Sequence, residues 1–379
     1  MISRNSIGGA YPTKRLGDIV EFLDSMRRPV TESDRRLGPY PYYGANGQQG
    51  TIDDFIFDEP LVLLAEDGGH FGAPQRGIAY RISGKAWVNN HAHVLRPKAD
   101  VDLAFLCRVL ENYDVTPFVT GTTRGKLTQA GASEIVVPVP LLPEQRRIAE
   151  VLDRADALRA KRRSALVQLD ALTQSMFLDA FGDPVVNSRG WPSRRLGQVG
   201  TLDRGVSKHR PRNAPELLGG VHPLIQTGEV ANCDGYIRRH NSTYSDLGLR
   251  QSKLWPAGTL CITIAANIAK TGILTFEACF PDSVVGFRAQ DEATVEFVRT
   301  WLSFLQENLE ETAPESAQKN INLAILRDLE VPFPPLPLQR DFARRVAAVE
   351  RLKAAHRASL AELDTLFAAL QHRAFSGDL

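Results

Sequence analysis

Two stretches of the chain carry apolar residues at alternating intervals of three and four. In the first the positions are Ile148, Val151, Ala155, Leu158, Arg162, Ala165, Leu169, Leu172 and Met176. In the second they are Phe342, Arg345, Val349, Leu352, His356, Ser359, Leu363, Leu366 and Leu370. Such a 3.5-residue period predicts two long helices with a mostly apolar seam. Leu152, Leu166, Val346 and Leu360 widen the seam to a broader stripe. Pro143 and Pro337 stand at the two starts, where the fixed φ of proline suits a first helical turn. Arg162 and His356 fall mid-seam, where they snorkel outward or fix register.

The two stretches are copies of one another. Residues 138–181 and 332–375 align without a gap at an offset of 194, with sixteen of 44 positions identical. The alignment includes a non-helical P-x-P-x-L-P-x-Q-R segment that shared helical bias does not produce. Weaker echoes extend it. KRLGDIV (14–20) resembles RRLGQVG (194–200), and YPYYGANG (40–47) resembles HPLIQTGE (222–229). VLRPKADVDLAFL (94–106) resembles GFRAQDEATVEFV (286–298), which sets Arg96 over Arg288 and Phe105 over Phe297. The plan is variable block, helix, variable block, helix: residues 1–141, 142–181, 182–335 and 336–379.

Within the blocks, alternating and continuous apolar runs predict short strands. They are LVLLAED, GIAYRI, WVNNHAHVLRP and EIVVPVP in the first block, and TLCITIAA, GILTFEA and SVVGFRAQ in the second. VDLAFLCRVLEN and ATVEFVRTWLSFLQENLE read as helices. The fold class is α+β: two mixed blocks separated by an antiparallel pair of long helices, with an internal pseudo-two-fold repeat. The first helix delivers the chain to the second block, so a second helix packed along it runs back. At about 1.5 Å per residue, some 35 residues make a rod of roughly 50 Å.

Composition narrows the function. Charges nearly cancel, 45 Lys and Arg against 44 Asp and Glu, so the chain as a whole is no general polyanion binder. Four scattered cysteines, Cys107, Cys233, Cys261 and Cys279, form no CxxC pair, which suits reduced thiols in a cytosol. No apolar run reaches membrane-spanning length, and residues 1–18 lack a signal-peptide core. These features predict a soluble cytoplasmic protein.

Candidate chemistry is sparse. GTTRGKL (121–127) lacks the spacing and the final Ser/Thr of a phosphate loop. His91 and His93 alternate on an expected strand with no ligand cluster evident in the sequence, and Pro334-Pro335 follow Phe333 instead of an amide or acid. No nucleophile triad, catalytic pair or metal set is predicted.

Polyanion contact has better candidates. The first block offers Tyr43, Asn46, Arg124 and Lys126, and the second Asn267, Lys270, Lys319 and Asn320. Amide, hydroxyl and basic side chains hold phosphates and read base edges. The competing reading of each is a solvated turn. Arg27-Arg28 and Arg35-Arg36 read as solvent-facing pairs.

P-x-P-L-L-P-E-Q-R-R-I-A (138–149), leading into a long amphipathic helix, resembles the repeated segment of type I restriction-modification specificity subunits. P-x-P-P-L-P-L-Q-R (332–340) is its second copy, with Leu338 where the first has Glu144. Leu16-Gly17 and Leu196-Gly197, each after a basic residue, resemble the opening of a target-recognition domain. The layout matches over the whole chain, and the specific sequence support lies in the helical quarter.

The resemblance implies a non-catalytic, sequence-specific DNA-binding subunit that reads a bipartite target, with the helix pair setting the gap. It implies double-stranded DNA, two modification (methyltransferase) subunits and, where the system has them, restriction/translocase subunits as partners. S-adenosylmethionine, ATP and Mg belong to those partners. The competing classes are a coiled-coil scaffold without DNA reading and an unusual stand-alone DNA-modifying enzyme.

Overall fold

The structure, a computed structural model, describes residues 11–73, 76–121, 124–209, 211–264, 269–312 and 321–379. The chain divides into two compact units, residues 1–164 with 357–379, and residues 165–356. The division falls inside both long helices, Leu142–Phe181 and Leu336–Ser376, so each unit holds a half of each.

Each unit is built on the same pair of sheets. In the first unit one antiparallel sheet runs Val20–Phe22, Ala92–Pro97, Leu61–Ala65, Ala79–Ile82. Leu61 to Ala65 are fully buried, and a strand covered on both faces needs a continuous apolar run. The other sheet runs Gly47–Ile52, Tyr40–Gly44, Lys85–Val88, Phe57–Asp58, with its central pair parallel.

The second unit repeats both orders. Thr201–Arg204, Val284–Arg288, Leu260–Thr263 and Thr271–Leu274 form the first sheet, with Gly235–Ile237 added in parallel at the edge. Ser242–Tyr244, Leu218–Leu224, Ala278–Cys279 and Leu254–Trp255 form the second, again with a parallel centre. The segments 40–47 and 222–229 begin from corresponding strands. One expected strand is two: WVNNHAHVLRP breaks at residues 89–91, so Lys85–Val88 serves one sheet and Ala92–Pro97 the other.

The duplication holds at the level of single bonds. Thr13–Arg15 pairs with Val136–Pro138 as Ser193–Arg195 pairs with Glu330–Pro332. Arg15 bonds Glu134 as Arg195 bonds Asp328. Gly17 explains the Leu-Gly element: a Cβ there would sit 3.0 Å from Ser133 Cβ, and at Gly197 it would sit 3.3 Å from Arg327 Cβ. Thr128 and Asn322, 194 apart, each cap a short helix through the side-chain oxygen. The glutamine of the repeated motif is fully buried, and Gln145 and Gln339 each donate Nε2 to a proline carbonyl five residues back, Pro140 and Pro334, at 2.8 Å. That bond ties the extended P-x-P segment to the first turn of the helix.

The helices run antiparallel within each unit. In the first, Arg147 donates to the Leu379 carbonyl and Arg159 pairs with Asp364 at 2.7 Å. In the second, Lys353 pairs with Asp170 at 2.5 Å and Phe177 stacks edge-on against Phe342. The two ion pairs are copies, since Arg159 and Lys353, like Asp170 and Asp364, are 194 apart.

The seam departs from expectation at four of its leucines. Ile148 and Val349 are buried, and Leu169 and Leu363 are half-buried. Leu158, Leu172, Leu352 and Leu366 are instead 44–53% exposed. The covered line runs one residue further on, through Leu152, Arg159, Leu166 and Thr173 in the first helix and Val346, Lys353, Leu360 and Phe367 in the second. The reason is electrostatic and steric. Arg159 and Lys353 occupy seam positions because an acid on the opposite helix meets each, and Phe367 fills the seam beneath the Arg159 guanidinium at 4.3 Å.

Candidate nucleic-acid interface

The strand break at residues 89–91, the hairpin after Tyr40–Gly44 and the loop before Lys126 converge on one recess of about 430 Å³ in the first unit. Asn46 and Arg124, both expected from the sequence, line it, and so do Arg35, Gln49, Asn89, Asn90 and His91, which were not. Asn46 sits in the hairpin turn before Gly47, whose φ of +108° suits glycine, and donates to the Gly68 carbonyl at 3.0 Å. Tyr43 is half-buried against Tyr80, with ring centroids 5.9 Å apart, and does not line the recess.

Both basic residues of the 121–127 loop have acid partners. Arg124 bonds Asp67 at 2.8 Å and Lys126 bonds Glu66 at 3.0 Å, with their head groups still largely open to solvent. Asp67 also holds His91 Nδ1. Glu66 anchors a buried cluster with Arg27, Asp24 and His93. Burial pushes the Glu66 carboxyl up, but bonds from Arg27 and Lys126, with the charges of His93 and Arg27, outweigh it and leave the group below the ordinary glutamate value. Ligand atoms of Asp24, Glu66 and His93 lie within 4.8 Å of one another. Arg27 is the cation of that group, and His93 spends its second nitrogen on the Leu127 carbonyl. Arg27 is therefore a core residue, not the solvent-facing one its sequence suggests.

The second unit has a smaller recess, about 230 Å³, with Arg212, Asn213, Gln226, Thr227 and Ser283 among its lining residues. Lys270 points elsewhere: its ammonium is held by Gln306 at 3.1 Å. Asn267, Lys319 and Asn320 lie outside the described residues. All four cysteines are free, and burial raises every thiol, that of Cys107 to about 12, which leaves no activated nucleophile among them.

The displaced seam leaves a second feature. Leu158 precedes Arg159 by one residue and Leu366 follows Asp364 by two, so the ion pair sets these exposed leucines at one level of the first unit. Leu352 and Leu172 stand in the same relation to Lys353 and Asp170 in the second.

The chain is thus two copies of one α+β unit, each with a polar recess of about 230–430 Å³ and an exposed leucine pair on its helices. A family model described as "Type I restriction modification DNA specificity domain" matches residues 10–168 and 188–365, and the chain belongs to that family. The chain is 35% identical over 154 residues to the type I restriction enzyme specificity subunit S.HindORF215P of Haemophilus influenzae, covering 41% of this chain and 40% of that one. It is 23% identical over 291 residues to the EcoBI specificity subunit of Escherichia coli, covering 67% and 60%. The aligned stretches thus span less than two thirds of these relatives.

Among solved structures, the S subunit of a type I restriction-modification system from M. genitalium superposes with a TM-score of 0.65 at 14% identity, over 96% of each chain. A chain from a study of type I complex assembly and conformational transition superposes with a TM-score of 0.54 at 19% identity, over 98% and 99%. Both share the fold. No helix among the described residues is long and apolar enough to cross a membrane.

Proposed function

We propose that the chain is the addressing subunit of a type I restriction-modification complex. Residues 1–141 read one half of a bipartite DNA target, residues 182–335 read the other, and the helices 142–181 and 336–379 receive the partner subunits. The observation that carries this reading is the duplication itself, in sheet order and in the ion pair between the helices, in a chain of the specificity family. Two linked weak readers gain affinity through effective concentration.

Asn46, Arg124 and Lys126 contact DNA in the first half, with Tyr43 supporting the hairpin. Asn267, Lys319 and Asn320 serve the second. Arg124 and Lys126 exchange Asp67 and Glu66 for phosphates on binding, and the salt dependence of affinity falls by about one unit of slope for each basic residue removed. The chain supplies no catalysis. S-adenosylmethionine and methyl transfer belong to two modification subunits in the cytoplasm, and ATP and Mg to restriction subunits where they are present.

The exposed leucine pairs are the proposed docking points, one per unit, which accounts for two copies of a modification subunit. Leu158→Glu with Leu366→Glu, or Leu172→Glu with Leu352→Glu, is expected to leave the fold within about 0.5 kcal/mol of wild type, since the sites are exposed. Each double variant should hold one modification subunit by native mass spectrometry, and the quadruple variant none. Retention of two copies by all three would place docking elsewhere. Sequence-selective DNA binding by the assembled complex separates this function from a plain scaffold, and methyl transfer by the chain alone would make it an enzyme.

A further inference from the structure

Around the first unit's sheets, Arg27, Arg81, Arg96, Arg108 and Arg124 are spent on carboxylates. Arg35 is not: among the described residues no carboxylate lies within ion-pair distance of it. Its guanidinium carbon sits 3.9 Å over the Tyr42 ring. Tyr42 is 2% exposed, and its hydroxyl is fixed by the Val30 backbone N–H and carbonyl, both at 3.1 Å. The platform under the guanidinium is therefore rigid. Arg35 Nε is buried with no hydrogen-bond partner, and Nη1 reaches only the Gln49 carbonyl, at 3.5 Å. That distance is beyond a normal N–H···O bond.

A stacked, half-buried guanidinium with most of its donors unused can take a planar acceptor pair without rearrangement. It faces a recess whose other polar groups are equally pinned. Asn89, 4% exposed, donates to Gln49 Oε1 at 3.1 Å and accepts from the His91 N–H at 2.8 Å. Gly44 makes this arrangement possible, because a Cβ there would lie 2.5 Å from Gln49 Nε2 and 2.9 Å from Asn89 Nδ2. A phosphate contact needs only charge on a flexible stem. A planar fork held flat on an aromatic ring fits an acceptor pair in a plane, and the base edge offering two acceptors in the major groove is that of guanine, O6 and N7.

We infer that Arg35 is a specificity-determining residue that reads a guanine in the half-site of the first unit, with Asn46 and Gln49 facing the adjacent base edges. The inference rests on the DNA-reading function proposed above. Its test uses the complete complex with modification subunits and a library of targets varied at each position. Arg35→Ala and Arg35→Lys should each reduce discrimination for guanine at one position of one half-site by about 5- to 150-fold, the range of one bidentate contact. The other half-site and the gap should be unchanged, and Arg35→Lys should keep the wild-type salt slope. Trp87, whose indole donates to the Arg28 carbonyl, reports by fluorescence that this unit remains folded when the isolated chain carries Phe in place of Trp191, Trp255 and Trp301.

Equal weakening on every sequence would make Arg35 a phosphate contact and overturn the inference. Unchanged discrimination at all positions in a folded variant would do the same. A wild-type complex with no sequence preference at all would instead defeat the recognition function, and the inference with it.

Discussion

Replacing Phe177 by alanine is expected to destabilise the second unit by about 4 kcal/mol, in the range of a buried Phe→Ala change. The ring is fully buried and meets Phe181, Phe297, Phe304 and Phe342 with centroids 5.0–5.5 Å apart. It joins both long helices to the core of this unit, so its removal leaves a cavity where three elements meet. The duplicate position in the first unit is Gln371, which makes the effect local. Trp191, Trp255 and Trp301 belong to the second unit and Trp87 alone to the first, so urea unfolding in a Trp87→Phe background reads the second unit by itself. A loss below about 1 kcal/mol would mean that the aromatic cluster is not the joint.

Arg108→Ala is expected to destabilise the first unit by about 3 kcal/mol at neutral pH. The guanidinium is 8% exposed and bonds Glu111, Asp153 and Asp156, so it ties the helix Leu103–Leu110 to the first long helix. Removing it leaves Glu111 without its ion pair inside the fold, while Asp153 keeps Arg81 and Asp156 keeps Arg159. Burial already holds the Glu111 carboxyl above its ordinary value, against the pull of Arg108. A raised carboxyl favours the fold while protonated, and that contribution is lost as pH rises through its folded value. Without Arg108 the folded value rises further. The deficit of the variant should therefore be larger at pH 8 than at pH 5, measured by denaturant titration with Trp87 as the reporter in a background where Trp191, Trp255 and Trp301 are Phe. A deficit independent of pH would show that packing, and not charge, accounts for the residue.

The sequence disclosed the long helices, the duplication and most central strands, because these depend on period and on near-identical residues. It misplaced alternate seam positions for a physical reason. Leu158 and Leu172 fit an apolar heptad, but Arg159 and Thr173 take the covered places, since the acid that accepts Arg159 lies 205 residues away in the chain. Gln145 and Gln339 carry no signal of burial in the sequence, since only the turn back to Pro140 and Pro334 makes them buried structural bonds. The reading of Arg35-Arg36 as a solvent-facing pair fails for Arg35 because the ring of Tyr42 comes from a strand outside its local segment. A recess assembled from five separate segments has no contiguous signature. Asn46 and Arg124 could be nominated from residue type, whereas Asn89 and His91 were absorbed into a strand that does not continue through them.

The central claim is that each unit addresses one half of a DNA target. The most direct measurement is sequencing of modified adenines in a host carrying the chain with its modification subunit, beside a chimaera whose residues 182–335 come from another family member. Wild type should yield a bipartite motif with an unspecific gap. The chimaera should keep one half of that motif and exchange the other. A continuous motif, no motif, or a change in both halves at once would contradict the account.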